Sequence, residues 1–298
     1  MSGPALAVSV SRAGGLGFIG PGAKTQDTAT DLEEASFLLQ RESFFRAFSA
    51  SSKLSGLLPI GTGFQLWNDD LEVASSALKR FKPCAAWLFA PQNGQKDLDA
   101  WSRRLRASSP ETQIWVQIGT VAEVRSLIAS DAERPDVIVV QGAEAGGHGR
   151  ANDGAGLISL LPEVADLLGS REVDIPLVAA GGIADGRTAL AALCLGASGI
   201  AMGTRFLAST EARIATGYQH EVVRASEGGS STTRTLLYNH LRGTYGWPEG
   251  YSPRTLTNKS YTEHQAGKSF EELQVLHDQA AKTGDKGGIS ARAGVPLV

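Results

Sequence analysis

Three apolar segments in the middle of the chain end directly in glycines. Residues 137–149 read VIVVQGAEAGGHG, residues 176–183 read PLVAAGGI, and residues 199–206 read GIAMGTRF. In a parallel barrel of alternating strands and helices, the carboxyl ends of the strands meet on one face, where the loops build the active site. Glycine lets backbone N–H groups approach an anion closely. The pattern therefore predicts one barrel face that binds a phosphate and carries chemistry beside it.

The remaining chain alternates predicted strands and helices, which is typical of a parallel sheet with crossover helices. Seven strands are predicted, at 16–20, 58–66, 85–90, 113–118, 137–141, 177–180 and 199–202. Helices are predicted at 3–13, 27–47, 69–81, 95–107, 120–130, 157–168 and 186–195. Seven strands are one short of a closed barrel, and the chain opens on a helix. We expect an α/β fold of the TIM (β/α)8 type that lacks its first strand.

The tail differs from the rest of the chain in composition. Residues 210–298 are richer in Thr, Tyr, Gly and charged residues, with helices predicted at 211–225 and 270–282. Residues 243–253 are predicted to form an ordered loop, and the glycine-rich residues 283–294 to be mobile. We expect residues 1–209 to form the barrel and residues 210–298 to form a separate extension of helices and loops.

Composition excludes several classes of partner. The 298 residues carry a formal net charge of −3 and contain no run of Lys or Arg, which argues against nucleic acid. Residues 103–106, RRLR, are read as a solvated helix face. No apolar run reaches about 18 residues, so no membrane span is expected. Cys84 and Cys194 lie outside any Cys-x-x-Cys pattern. We therefore expect both to pack in the core of a cytoplasmic protein that has no metal site.

The glycines after the last two predicted strands indicate a phosphate site. Gly181 and Gly182 follow one strand, and Gly203 and Thr204 follow the next. Neighbouring loops of this kind bind phosphate in TIM barrels, and the helix that follows adds a favourable dipole. The chain has no Gly-x-Gly-x-x-Gly after its first strand and no Gly-x4-Gly-Lys-Ser/Thr loop. The phosphate therefore belongs to a flavin mononucleotide or to a sugar-phosphate substrate.

His148 is the candidate catalytic residue, and Gly147 beside it a candidate cofactor contact. Imidazole exchanges protons near neutral pH, and a histidine in a glycine-lined loop has no packing role there. Glu144 could orient the same loop or bind a cofactor. We expect the remaining histidines to be surface or structural residues: His220, His240, His264 and His277.

Taken together, segments 141–148 (QGAEAGGH), 180–183 (AGGI) and 202–206 (MGTRF) resemble the nitronate monooxygenase family, formerly called 2-nitropropane dioxygenases. Residues 2–20 resemble the first helix and second strand of that family, and the tail is similar to its fungal members. The resemblance implies a TIM-barrel flavoenzyme in which residues 1–209 bind non-covalent FMN and the smaller extension, residues 210–298, covers the active site. It implies oxidation of alkyl nitronates with O2 to a carbonyl compound and nitrite.

The resemblance also implies roles for individual residues. His148 would act on the substrate, either as a base at the carbon next to the nitro group or as a partner of the nitronate. Gln65 and Gln117 would contact the flavin ring at the ends of their strands. The flavin phosphate would be bound by Gly181, Gly182, Gly203 and Thr204. Family members begin with a further strand that contacts the flavin, and this chain starts just after it.

Other interpretations stay open at this point. An FMN-dependent NAD(P)H reductase of an enoyl thioester or quinone carries a similar Gly-Gly-His loop. An inactive remnant without flavin is a second alternative. A barrel similar to inosine-monophosphate dehydrogenase would need a loop cysteine, which neither Cys84 nor Cys194 supplies. The expected partners are a small-molecule substrate and O2, with a homodimer left open.

Overall fold

The computed structural model describes residues 2–40 and 56–282. In these ranges the strands, numbered here in chain order, are β1 Gly17–Ile19, β2 Leu58–Gln65, β3 Pro83–Phe89, β4 Gln113–Ile118, β5 Val137–Gln141, β6 Gly147–Arg150, β7 Leu177–Ala180, β8 Gly199–Ala201, β9 Thr232–Arg234 and β10 Tyr251–Leu256. The helices are α1 Pro4–Arg12, α2 Thr25–Gln40, α3 Leu71–Phe81, α4 Gln95–Ser108, α5 Val121–Ala129, α6 Leu157–Ser170, α7 Gly186–Cys194, α8 Thr216–Arg224, α9 Gly228–Ser231, α10 Leu237–Leu241, α11 Lys259–Gln265 and α12 Phe270–Lys282. A short 3₁₀ helix covers Thr204–Ala208.

Seven strands form one parallel sheet in the order β1-β2-β3-β4-β5-β7-β8. Each pair is joined by a crossover helix, so the carboxyl ends of all seven strands lie on the same face. The seven strands predicted from sequence and the TIM-barrel type of α/β fold are confirmed. β1 and β8 stand at opposite ends of the order, and no strand within residues 2–40 and 56–282 joins them.

Side chains of the barrel strands alternate between the helices outside and the barrel interior, as the pleat requires. On β2, Phe64 packs outward against Trp101 of α4, with ring centroids 5.7 Å apart. Gly61 points inward, where an added Cβ would lie 2.2 Å from a ring carbon of Phe18. Glycine at this position therefore makes room for the Phe18 ring inside the barrel.

The outer helices are held by caps that the sequence supplies locally. The carboxylate of Asp70 accepts hydrogen bonds from the N–H groups of Glu72 and Val73 at the start of α3. Thr120 and Glu123 form a reciprocal capping box at the start of α5. Such caps satisfy backbone donors that have no partner within the helix. They explain why the predicted starts of these two helices lie within two residues of the observed ones.

A second, antiparallel sheet, ordered β6-β10-β9, stands on the carboxyl-end face. His148 of β6 lies opposite Pro253 of β10. Residues 147–150, predicted as loop, are therefore strand, and so are residues 251–253 at the end of the predicted loop 243–253. Both predictions were wrong because these short segments obtain their backbone partners from each other across about 100 residues of chain.

Three further expectations need correction or lie outside the described residues. Cys194 is exposed at the end of α7, whereas Cys84 is buried in β3 as expected. The second helix begins at Thr25, two residues before the predicted start, and Asp27 within its first turn accepts a hydrogen bond from the N–H of Lys24. The predicted helical residues 41–47 and the predicted mobile residues 283–294 fall outside the described ranges.

Across residues 2–40 and 56–282, every helix is too short or too polar to cross a lipid bilayer.

Candidate active site

The floor of the site is a layer of three aromatic rings inside the barrel. The Phe18 ring centroid lies 5.2 Å from that of Trp87 and 5.1 Å from that of Trp115. The two tryptophan rings are 6.1 Å apart. Because side chains already fill this level, a ligand can lie only above it, at the carboxyl ends of the strands.

The register brings the two candidate glutamines to the level above this floor. Gln65 on β2 is aligned with Phe89 on β3. Leu88 is aligned with Val116, so Phe89 stands beside Gln117 on β4. The side-chain carbonyl of Gln117 accepts a hydrogen bond from Trp87 Nε1 at 3.0 Å. This bond fixes the amide of Gln117 and leaves its NH2 group as a donor.

His148 stands beside the barrel mouth on β6, where three contacts fix it. The Gln141 side chain at the end of β5 donates to the His148 carbonyl at 3.3 Å. His148 Nε2 lies 3.0 Å from Nδ2 of Asn239. The imidazole stacks on Trp247, with ring centroids 3.6 Å apart and planes inclined by 6°. Trp247 in turn contacts Trp67 and Phe89, at centroid distances of 4.9 Å and 6.4 Å.

The electrostatic environment keeps this imidazole neutral. Burial, together with the charges of Arg242 and Arg234, lowers the pKa of His148 to about 3. Since imidazole ordinarily titrates near pH 6.5, His148 stays uncharged throughout the physiological range. The two nearby guanidinium groups make this part of the mouth favourable for an anion.

One arginine holds the segment that precedes His148. The guanidinium of Arg234, on β9, donates to the carbonyls of Ala143, Ala145, Gly147 and Ser252. The carboxylate of Glu144 accepts a hydrogen bond from the N–H of Leu157, 2.9 Å away at the start of α6. Glu144 therefore orients the loop, which is one of the two roles expected for it.

The glycine pair after β7 packs directly on this loop. Gly181 has φ +103° and Gly182 has φ +68°, both in the region that favours glycine. An added Cβ at Gly181 would lie 2.8 Å from the Cβ of Ala145. At Gly182 it would lie 3.0 Å from Cγ of Glu144. Two independent constraints, backbone conformation and contact with the loop, therefore require glycine here.

Gly203 and Thr204 follow the neighbouring strand. Ala180 and Ala201 are aligned between β7 and β8, so the two glycine loops leave the sheet side by side. Thr204 opens the 3₁₀ helix, and the first N–H groups of a helix have no acceptor within it. Gly203 has φ −108°, which any residue can adopt. No hydrogen bond within the described residues joins His148 to either glycine loop.

A family model for nitronate monooxygenase matches residues 97–290. The chain is 58% identical over 287 residues to nitronate monooxygenase npaC of Metarhizium robertsii, an alignment that covers 96% of this chain and 78% of the relative. The chain belongs to the nitronate monooxygenase family.

Solved structures agree on the fold of this family member. FabK from Thermotoga maritima superposes with a TM-score of 0.68 at 27% identity, covering 99% of this chain and 82% of that one. Nitroalkane oxidase from Streptomyces ansochromogenes gives a TM-score of 0.69 at 24% identity, covering 99% of this chain and 85% of that one. Because its sequence identity is only 24%, the similarity to the nitroalkane oxidase supports the fold and nothing further.

Sequence reasoning missed three residues of the candidate site: Asn239, Trp247 and Arg234. All three belong to the tail, and the first two contact the His148 ring. The only signal for Trp247 was the aromatic content of residues 243–253. Asn239 lies in LLYNHL, where nothing in the local pattern distinguishes a site residue from a helix residue.

Proposed function

We propose that this chain is a flavin-dependent oxidoreductase, with FMN as the flavin, that oxidises alkyl nitronates with O2 to a carbonyl compound and nitrite. Membership of the nitronate monooxygenase family supports the reaction class. The observation that carries the assignment to this site is the neutral His148 ring, flanked by two cationic guanidinium groups at the barrel mouth. An anionic nitronate is attracted to these charges, and a neutral imidazole can hydrogen-bond to it.

The donors at the mouth fit a heterocycle that is rich in acceptors. Nε1 of Trp67 and Nε1 of Trp247 are buried and have no acceptor among the described residues. Buried donors without partners are costly, and a bound ligand would satisfy them. The NH2 group of Gln117 adds a third donor, and Gln65 stands at the same level. These residues would hold the ring system of the flavin.

The phosphate end fits the two glycine loops. Gly181 and Gly182 form a cradle that any side chain would fill, next to the start of α7. Gly203 and Thr204 border it from β8. Backbone N–H groups in such a turn, together with helix N-termini, bind phosphate. We also include Gly147 in the cofactor site. It is buried at the start of β6, and its carbonyl accepts a hydrogen bond from Arg234.

When bound, the flavin supplies the redox chemistry with O2. The residues of this chain bind and orient the reactants. The stack of Trp247 on His148 covers one face of the imidazole and excludes water from it. His148 either removes a proton from the carbon next to the nitro group or donates a hydrogen bond to the nitronate.

Asn239 and Trp247 support the proposal that residues 1–209 form the barrel and residues 210–298 cover its mouth. Free Cys84 and Cys194 support a cytoplasmic location.

The decisive test compares His148→Gln with His220→Gln, an exposed residue on α8, after reconstitution with FMN. We expect His148→Gln to lower kcat/KM with an alkyl nitronate by roughly 100-fold or more while FMN stays bound, and the control to match the parent protein. O2 uptake and nitrite release measure the reaction. Equal activity of the two variants would refute the role of His148. Consumption of NADH with a quinone or enoyl acceptor, without nitronate oxidation, would refute the proposed reaction.

A further inference from the structure

The His148 ring nitrogens have unequal surroundings. Nε2 lies 3.0 Å from the amide nitrogen of Asn239. Nδ1 has no hydrogen-bond partner among the described residues, and it is not one of the buried atoms that lack a partner. Nδ1 is therefore accessible to solvent, whereas Nε2 is engaged by Asn239.

Asn239 is held too firmly to be an incidental neighbour. It is only 2% exposed. Its helix, α10, is anchored by Leu237, Tyr238 and Leu241, which pack in one apolar cluster with Leu273 of α12. The Oδ1 atom of Asn239 is buried without a partner, so the contact with His148 is the only side-chain hydrogen bond of this amide within the described residues. A buried amide directed at one ring nitrogen is expected to control that ring.

A neutral imidazole carries its proton on one nitrogen, and the hydrogen bond at the other decides which. When the Asn239 NH2 group donates to Nε2, Nε2 must be the acceptor and Nδ1 must carry the proton. Nδ1–H is then the accessible hydrogen-bond donor of the ring. In this state His148 cannot take a proton through either nitrogen without first losing its contact with Asn239.

We propose that Asn239 is a positioning residue that holds His148 in the Nδ1–H tautomer, so that the imidazole meets the substrate as a neutral hydrogen-bond donor. The tautomer itself follows from the contact with Asn239. Its consequence, a hydrogen bond from Nδ1–H to a nitronate oxygen, rests on the proposed function. It distinguishes between the two roles open for His148, because a ring held in this way binds the anion rather than deprotonating a neutral nitroalkane.

The charged groups around the ring agree with this role. Arg234 on β9 and Arg242 after α10 act on the imidazole from two elements, and both disfavour an added proton. No carboxylate is among the groups that shift its titration. A donor that stays neutral can serve an anionic substrate over a wide pH range without a protonation step.

The test uses the FMN-reconstituted full chain labelled with ¹⁵N-histidine, in which side-chain NMR reports the tautomer and titration of each ring. His148→Gln identifies the His148 signals. We expect the Nδ1–H tautomer between pH 5 and 8 in the parent protein and a mixture of tautomers in Asn239→Leu. In Asn239→Asp the carboxylate can only accept, so the proton should move to Nε2 and the ring should titrate at higher pH.

Turnover supplies a second, independent readout. Asn239→Leu should lower kcat/KM for a nitronate by about 10-fold, the effect of losing one orienting hydrogen bond. In Asn239→Asp, nitronate oxidation should fall as pH rises through the new titration, because Nδ1 then loses its proton. The parent protein should show no such step.

The outcomes separate the two proposals. An Nε2–H tautomer in the parent protein, or an unchanged tautomer in Asn239→Leu, would overturn the role of Asn239. The predicted tautomers without nitronate oxidation in any variant would support the role of Asn239 and contradict the proposed function. Circular dichroism of Asn239→Asp checks that α10 remains folded, and the NMR titration of that variant tests the inference even where Asn239→Leu fails to fold.

Discussion

Replacing Arg234 by Met removes the clamp on the loop that precedes His148. Arg234 donates four hydrogen bonds to backbone carbonyls, three of them in residues 143–147 and one on Ser252. At about 1 kcal/mol net for each bond, the clamp contributes roughly 4 kcal/mol. Burial lowers the pKa of Arg234 to about 10, which shows that the cation is itself destabilised in this place. We therefore expect a smaller loss in the free energy of unfolding, about 3 kcal/mol.

Arg254→Met is the matched control, because Arg254 lies opposite Arg234 in the same sheet. It makes weaker contacts, 3.2 Å to Thr232 Oγ1 and 3.4 Å to the Ala143 carbonyl. Its loss should cost about 1 kcal/mol. With about 2 °C per kcal/mol in a chain of this size, thermal unfolding should shift Tm by roughly 6 °C for Arg234→Met and 2 °C for Arg254→Met.

Calorimetry at equal protein concentration measures both shifts. The loop also supports the glycine pair after β7, so Arg234→Met should weaken FMN binding more than Arg254→Met does. Equal destabilisation by the two substitutions would refute the argument, since it would mean that the four carbonyl contacts carry no more free energy than two long ones.

Two further predictions test the phosphate cradle and the titration of the imidazole. Gly181→Ala should weaken FMN binding at least 10-fold and lower stability, because φ +103° and the contact with Ala145 both oppose a Cβ. Gly186→Ala, with open space around its Cβ, should change neither property. Fluorescence titration with FMN and thermal unfolding measure the two effects, and equal results for the two variants would contradict the prediction. The folded pKa of His148 is about 3, below the unfolded value of about 6.5, so the unfolded chain binds the extra proton and stability should fall by up to a few kcal/mol as pH drops from 6.5 towards 3. His148→Gln should remove that part of the pH dependence. Urea unfolding at pH 4 and pH 7 measures the change in the free energy of unfolding for each protein, and an equal change in both proteins would contradict the reasoning.

The strands of the barrel were predictable because their signals are local. Residues 113–118, 137–141 and 177–180 coincide with observed strands, since each is a short apolar run bounded by turn residues. Helix starts were predictable where a capping side chain stands in the sequence, as at Asp70 and Thr120. Cys194 was predicted wrongly because an apolar segment does not reveal which face of a surface helix its members occupy.

The small sheet could not be predicted in the same way. Residues 147–150 read GHGR, which has neither apolar alternation nor β-branched residues. This segment is a strand because residues 251–254 pair with it, and no local signal marks that pairing. The environment of His148 follows from the same long-range contact, since its partners Asn239 and Trp247 come from beyond residue 230.

The sequence by itself determined the parallel barrel and the family, because periodicity, glycines at strand ends and motif spacing are properties of neighbouring residues. Only the tertiary structure decided how the imidazole is used. Which of its nitrogens is engaged, which ring covers it and which cations surround it depend on side chains about 90 to 100 residues away. Those contacts exist only once Asn239 and Trp247 have packed against the His148 ring.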